Sequence, residues 1–417
     1  MRIAVIGSGV SGLTAAYVLQ KRHDVRLFES DDRLGGHAHT HDVTGSDGRA
    51  VAVDSGFLVC NDRTYPTLLR LFDELGVATQ STEMSMSIRC EECGLEYAGA
   101  RHLGGLFPRA GNLARPRYLR LLAEIPRFHH AALRMLSGPD SADPTLAEFL
   151  AAGAFSTYFV DHFVLPLVAT VWSVDATTAG QYPARALFVF LRNHGMLRVN
   201  GSPRWRTVVG GSRTYVERVA KSLTSVHVST PVRSVRRHGS GAAVLDDSDE
   251  LHRVDRVVIA THADEALRLL ADPTEAESRL LGAYRYSHNT AVLHTDTSVL
   301  PVSRRARASW NHLKPSCRSD RIDVQVSYDL NRLMRLDTPS TYLVTLGAAG
   351  RVDPRATVAT MDYRHPIYTP ESVAARQRLP ELNDGITAFA GAYHGAGFHE
   401  DGCLSGVLAA ESLGVSW

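Results

Sequence analysis

The stretch that most constrains this chain is residues 3–36, IAVIGSGVSGLTAAYVLQKRHDVRLFESDDRLGG. Ile3 to Ile6 is a short apolar, β-branched run, the composition of a parallel strand buried on both faces. Gly7-Ser8-Gly9-Val10-Ser11-Gly12 follows at once, and apolar residues then recur at helical spacing through Leu13, Ala16, Tyr17 and Leu19. A second strand, Val25 to Phe28, ends in Glu29, 22 residues after Gly7. Strand, glycine turn, helix, strand and acid together make a dinucleotide-binding unit. Gly7 permits the tight turn, Gly9 lets a pyrophosphate approach the backbone, and Gly12 lets helix and strand pack closely. The helix N-terminus faces the phosphates, and Glu29 accepts from ribose hydroxyls. A bare GxGxxG arises by chance in glycine-rich loops, so the flanking strands and the acid carry the reading.

Arg33-Leu34-Gly35-Gly36 lies just past the acid, and Val53-Asp54-Ser55-Gly56-Phe57 comes soon after. An NAD domain has no need of that Arg-x-Gly-Gly step. On these motifs the chain resembles the flavin-containing amine oxidase and phytoene desaturase superfamily, whose glutathione-reductase-like FAD domain uses the second glycine pair near the pyrophosphate and ribityl chain. A closer likeness runs through VDSGFLVCNDRTYP, DHFVLP, NHG, RWRTVVGGSRTYVE, ATHADEAL, HTDT, SWN, HPIY and GAYHGAGFHEDG. There the chain is similar to bacterial predicted NAD/FAD-binding oxidoreductases, commonly associated with cyclopropane-fatty-acyl-synthase-type methyltransferases. The resemblance implies FAD, a lipid-linked substrate and a methyltransferase as partner.

The expected cofactor residues follow from both arguments. The first segment supplies Gly7, Ser8, Gly9, Val10, Ser11, Gly12, Glu29, Ser30, Arg33, Gly35, Gly36, His37, Gly56 and Phe57. Val232 is expected against the adenine, with Ala260 and Thr261 near the pyrophosphate; His262 stands where Gly or Pro is usual in the superfamily. Gly391, Phe398, His399 and Asp401 belong to a final strand, glycine turn and helix. In the resembled enzymes that helix points its positive end at the flavin pyrimidine. Leu404 to Leu413 is read as the helix, with Asp401 as its N-cap. No Ser-Gly-Gly-Cys element for covalent flavin attachment is present, so FAD is expected to be noncovalent. There is no obvious match for the lysine that amine oxidases hold near flavin N5; Lys314 is the remaining candidate. Without a second GxGxxG for a nicotinamide, the flavin must be reoxidised by oxygen, a quinone or a redox partner, or undergo no net change.

At 417 residues the chain is long enough for two domains. A net charge of +1 gives no reason to expect a nucleic-acid partner. Met1-Arg2-Ile3 runs straight into the first strand, so no signal peptide is expected, and no stretch reaches the ~20 apolar residues of a membrane span. A cytoplasmic protein, or one peripheral to the membrane, is the expectation. Cys90-Glu91-Glu92-Cys93 has the spacing of a redox pair or half a zinc site; with no second CxxC, it reads as a plain surface turn, and no metal is expected.

Arg101, Arg109, Arg115, Arg117, Arg120, Arg127 and Arg134 face a single acid, Glu124, across 101–135, with Leu and Phe interleaved. Such a stretch suits an anionic membrane or an acidic, greasy substrate, or is simply a solvated helix face. Residues 155–199 are the most apolar of the chain and include Asp161, His162, Asn193 and His194; apolar walls with a few polar groups are how small-molecule pockets are built. A strand pair is expected at 226–228 and 232–235. The resulting organisation is α/β: a Rossmann-like FAD-binding domain in three pieces (1–60, 201–285, 384–417) with an inserted α+β substrate domain (61–200, 286–383). The expected function is FAD-dependent dehydrogenation of a fatty-acyl or other lipid-like substrate by hydride transfer to flavin N5. His399, Glu400 and His194 are the candidate catalytic proton carriers. The alternatives are a lipid double-bond isomerase, an amine oxidase with Trp310, Tyr368 and Tyr393 flanking the amine, or a non-catalytic FAD-binding partner of a lipid methyltransferase.

Overall fold

The computed structural model describes residues 1–99, 102–139, 143–198, 201–318, 325–348 and 350–417. Five parallel strands form one sheet in the order Ser225–His227, Asp24–Phe28, Arg2–Ile6, Arg256–Ile259, Thr387–Phe389. The central strand shows why its sequence has no polar alternation. Ile3 and Val5 pack into one core with Leu13, Ala16 and Leu19 of the helix Val10–Leu19 and with Ala409 and Ala410 of the helix His399–Ser412. Ala4 and Ile6 face the other way, into the core that holds Val235, Ala242 and Val244 of an antiparallel meander, Val232–His238, Gly241–Asp246 and Leu251–Val254. A strand dry on both faces must be apolar at every position.

The strands expected at 226–228 and 232–235 do not pair. Ser229 takes a left-handed turn (φ 48°), and its N–H donates to Asp31 O while that of Thr230 donates to Glu29 O. The chain therefore leaves the parallel sheet at that point and enters the meander.

A seven-stranded sheet runs Thr357–Ile367, Arg285–His294, Leu343–Leu346, Val326–Asp329, Trp310–Lys314, Met86–Cys90, Glu96–Gly99. Every pairing is antiparallel except Trp310–Lys314 with Met86–Cys90, where Lys314 lies beside Cys90. Against these strands lie the helices Pro116–Ser137, Leu165–Trp172 and Ala184–Asn193. The helical run from Thr157 widens into a π turn at Val160–Val164 just before Pro166. Pro166 has no N–H for the His162 carbonyl, which instead accepts the Tyr97 hydroxyl at 2.7 Å.

The helix Pro116–Ser137 buries Tyr118, Leu121, Glu124, Phe128 and Ala132. Several arginines of the basic stretch are structural: Arg115 donates to Cys93 O, Arg109 pairs with Glu96, and Arg127 sits over the Phe155 ring. Arg117 and Arg120 are exposed, and Arg101 lies outside the described residues. Among the described residues no helix is long and apolar enough to cross a membrane.

Candidate active site

The glycine turn meets neighbouring backbone in two places. A Cβ at Gly12 would lie 1.8 Å from Gly7 O, and Gly7 itself has φ +97° with Ala260 O 2.8 Å from where its Cβ would be. Gly9 differs: φ is −61°, ψ is 175°, and no described atom lies within 4 Å of an added Cβ. It is bare because the space in front of it belongs to the cleft. Gly9 caps the helix Val10–Leu19 without a side chain, and no acid occupies the first turn, so the first N–H groups are left for an anion.

Glu29 ends its strand facing the same turn. One oxygen accepts from the Ser8 N–H at 2.8 Å and from the Ser8 hydroxyl, and the other accepts from the Asp31 N–H at 3.0 Å. The acid therefore braces the turn as well as lining the cleft. Arg33 donates through Nη2 to Gly36 O, while its Nη1 has no hydrogen-bond partner among the described residues. His37 Nε2, Trp310 Nε1 and the Tyr393 hydroxyl are likewise buried and unpartnered, and all four groups line one cleft of about 770 Å³. Its floor is a glycine cradle that added carbons would fill: at Gly56 a Cβ would meet His37 O at 2.0 Å, and at Gly36 it would lie 3.2 Å from the Gly9 Cα. These residues fit a dinucleotide whose phosphates lie on the helix end and whose polar edge satisfies the orphaned polar groups.

Most of the expected cofactor residues line this cleft: Gly7, Ser8, Gly9, Val10, Ser11, Glu29, Ser30, Arg33, Gly36, His37, Gly56, Phe57, Val232, Ala260, Thr261, Gly391, Phe398 and His399. Three do not. Gly12 and Gly35 sit behind it at close backbone approaches, Gly35 with φ +112° and its Cβ position 2.4 Å from Ala38 O. Asp401 is the third. The closing helix starts at His399, with Phe398 as N-cap, which corrects the expected start at Leu404 and the N-cap role of Asp401. Asp401 is the third helical residue, and its carboxylate reaches back to accept from Ala396 N–H at 3.0 Å and Phe398 N–H at 2.9 Å. Burial pushes its carboxyl up to about 6.

The three candidate proton carriers separate in the structure. Glu400 does not line the cleft: its two oxygens accept from Thr67 N–H and Leu68 N–H, each at 2.9 Å. It supplies the cap that Tyr65 lacks for the helix Pro66–Glu74. His194 lines the cleft with both nitrogens engaged, Nδ1 with Phe190 O at 3.0 Å and Nε2 with the Thr64 hydroxyl at 3.1 Å. Since a carbonyl can only accept, Nδ1 carries the proton; burial lowers the pKa. His399 stacks on Phe57 at 3.7 Å, meets the Tyr215 hydroxyl through Nε2 at 3.0 Å, and is pushed down to about 3 by burial. It is therefore neutral at physiological pH.

Lys314 and Tyr368 do not line the cleft, whereas Trp310 and Tyr393 do. The sequence reading missed His262 and His365 as partners of His37. The three rings gather from distant segments, with centroids 6.1 and 5.4 Å from that of His37. It also missed Tyr328, Val344 and Leu346, which complete a wall with Val171, Trp172 and Phe190 of the apolar run 155–199. Ser173, left-handed at φ 54°, ends the helix beneath this wall, and Trp172 Nε1–H donates to Ala396 O at 3.2 Å. The apolarity of 155–199 was the only local signal for half of it.

Residues 10–350 match the family of flavin containing amine oxidoreductases. The chain is 27% identical over 304 residues to coproporphyrinogen III oxidase of Mycobacterium leprae (strain TN), covering 67% of this chain but only 64% of that relative's length. In fold it is similar to putrescine oxidase bound to putrescine (TM-score 0.69, 17% identity, 99% of each chain). It is also similar to the CLA-producing fatty acid isomerase from P. acnes (TM-score 0.68, 14% identity, 98% of each chain). The glycine cradle, its bracing acid and the family match converge on one conclusion: this chain belongs to the flavin-containing amine oxidoreductase family.

Proposed function

We propose that the chain dehydrogenates an apolar, lipid-like substrate. The observation that carries this reading is the wall opposite the glycine cradle. Among the described residues, those lining the cleft from 170–173, 190–196, 310–328 and 344–346 include no Asp, Glu, Lys or Arg; the charged ones are Glu29, Asp31, Arg33, Arg233, Glu265, Arg268, Asp362 and Arg364. Phe398 joins that wall to the closing helix, stacked on Phe190 at 4.6 Å and edge-on to Trp172 at 6.0 Å. A hydrocarbon loses hydration on entering such a space at about 25 cal/mol per Å² of apolar surface, whereas an ammonium ion would meet no carboxylate there.

FAD, when bound, supplies the hydride-accepting chemistry. Gly9 and the helix end behind it would hold the pyrophosphate, Arg33 would offer the cofactor a free donor and His37 a free ring nitrogen, and Asp401 braces the turn 396–398. Trp172, Phe190 and Phe398 orient the chain of the substrate and exclude water. Loss of two hydrogens releases a hydride, which the flavin would take, and a proton, for which the cleft offers the imidazole nitrogens of His194 and His399 as acceptors.

The test is anaerobic. Holoprotein is mixed with fatty acids and a membrane lipid extract, flavin absorbance is followed, and altered lipids are identified by mass. Bleaching with a product two hydrogens lighter supports dehydrogenation, and a product of unchanged mass indicates the isomerase alternative. Bleaching by primary amines and not by any lipid overturns the lipid reading. The reading extends to a membrane encounter through exposed Leu103, Leu113, Arg117 and Arg120, which predicts flotation with anionic liposomes at low salt and release as salt screens the charges. A lipid methyltransferase would act on the same class of substrate, and co-purification from a native lysate tests that association.

A further inference from the structure

Outside the lining of the cofactor cleft, four potential metal ligands meet. Cys90, Cys93, His162 and Cys317 each present one ligand atom, and these atoms all lie within 4.8 Å of one another. Cys90 Sγ is 3.8 Å from Cys317 Sγ, and Cys93 Sγ is 3.8 Å from His162 Nε2. None of the four lines the cleft. The plain surface turn expected from the CxxC spacing is therefore corrected: Cys90 is 1% and His162 1% exposed, and the second pair of ligands arrives by tertiary folding.

We propose that Cys90, Cys93, His162 and Cys317 bind one structural zinc ion. A tetrahedral zinc with Zn–S bonds of about 2.3 Å and a Zn–N bond of about 2.0 Å separates its sulfurs by about 3.8 Å and sulfur from nitrogen by about 3.5 Å. The two 3.8 Å separations lie within a few tenths of an ångström of those spacings. Four protein ligands leave no open position, so the site is structural and not catalytic.

The surroundings fix the position of each ligand. His162 Nδ1 lies 3.1 Å from Tyr158 O and must carry the proton there, which leaves Nε2 its lone pair toward Cys93. The backbone of His162 is pinned where Pro166 frees its carbonyl for Tyr97. Cys90 ends its strand and accepts no helix or loop slack: its N–H donates to Leu95 O, closing the turn to Cys93 over Gly94 at φ +66°. Cys317 is placed by its N–H bond to Glu92 at 2.8 Å. Three thiolates and a neutral imidazole on a divalent ion leave one net negative charge. Buried Lys314 lies within electrostatic reach of all three sulfurs, and Arg115 donates to Cys93 O at 2.6 Å. The ion would clamp the end of Met86–Cys90, the loop after Trp310–Lys314 and the π turn that leads into the apolar wall of the cleft.

The test uses full-length holoprotein purified under reducing conditions. Wild type should carry about one zinc per chain by elemental analysis, and the double variant Cys93→Ser/Cys317→Ser about a tenth of that or less. After chelation, added zinc should restore the metal and raise the melting temperature. Cobalt(II) added in its place should give a thiolate charge-transfer band and tetrahedral d–d bands at longer wavelength than the flavin absorbs. The cobalt spectrum is read on the wild type and so decides even if the double variant does not fold. Absence of zinc together with absence of cobalt bands in reduced wild type overturns the site. So does equal metal content in a folded double variant, or a Cys90–Cys317 or Cys90–Cys93 disulfide in the reduced preparation.

Discussion

Gly9 separates cofactor binding from folding. Its φ of −61° and ψ of 175° are open to every L-residue, and an added Cβ has no described atom within 4 Å. Gly9→Ala therefore leaves the flavin-free protein as stable as wild type, or up to about 1 kcal/mol more stable through the lost freedom of its unfolded chain. What the methyl meets is bound FAD. Forcing extra carbon into a filled contact costs about 1–3 kcal/mol, which is about 5–150-fold in affinity. Gly9→Val should exceed that and emerge from purification nearly colourless. Gly12→Ala behaves oppositely: its Cβ would sit 1.8 Å from Gly7 O, so the flavin-free protein itself melts lower. The assay is FAD titration of apoprotein by fluorescence quenching, beside thermal melts without FAD. Wild-type FAD affinity in Gly9→Val, or a flavin-free melt lowered as much in Gly9→Ala as in Gly12→Ala, would refute the argument.

Other outcomes follow from groups already placed. Asp401→Asn keeps an acceptor oxygen but removes a charge beside the cleft, so the flavin midpoint should rise at pH 7–8. The difference should fade below about 6, where wild-type Asp401 is itself protonated; a shift constant from pH 5 to 8 would contradict this assignment. Glu400→Ala uncaps the helix Pro66–Glu74 and should cost about 1–2 kcal/mol in urea unfolding while leaving the pH profile of flavin reduction unchanged; a lost titration step would restore Glu400 as a proton carrier. His37, His262, His365 and His399 are pushed by burial to about 3 or 4. Above pH 6.5 both folded and unfolded forms are neutral. As pH falls toward 4 only the unfolded chain takes up protons, each group then removing up to about 1.4 kcal/mol per pH unit. Asp54 and Asp401, raised to about 6, oppose this as they shed the cost of buried charge, but the histidines outnumber them. The urea midpoint should fall from pH 6.5 to 5, and a rise would refute the balance.

The cofactor half of this protein was legible because its signals are local. A strand apolar at every position, a glycine turn with fixed spacing and a strand-ending acid all fall within about thirty residues of sequence, and Ile3–Ile6, Gly7–Gly12 and Glu29 stand in the structure as that strand, turn and acid. Helix boundaries were less legible. Asp401 looked like an N-cap because acids favour helix starts, yet its carboxylate reaches back three residues from inside the first turn, and sequence does not distinguish the two positions.

What only tertiary structure decided is which distant groups meet. His37, His262 and His365 come together because strands and turns from three segments converge on one cleft. Cys90 reaches Cys317, 227 residues away, because Trp310–Lys314 pairs in parallel with Met86–Cys90 and sets their ends side by side. His162 joins them through a π turn whose freed carbonyl is taken by Tyr97. Local periodicity fixes which face a residue occupies, but strand order and register come from burying whole faces against one another. That is why CxxC alone read as a plain turn, while its neighbours His162 and Cys317 came into view only in the folded chain.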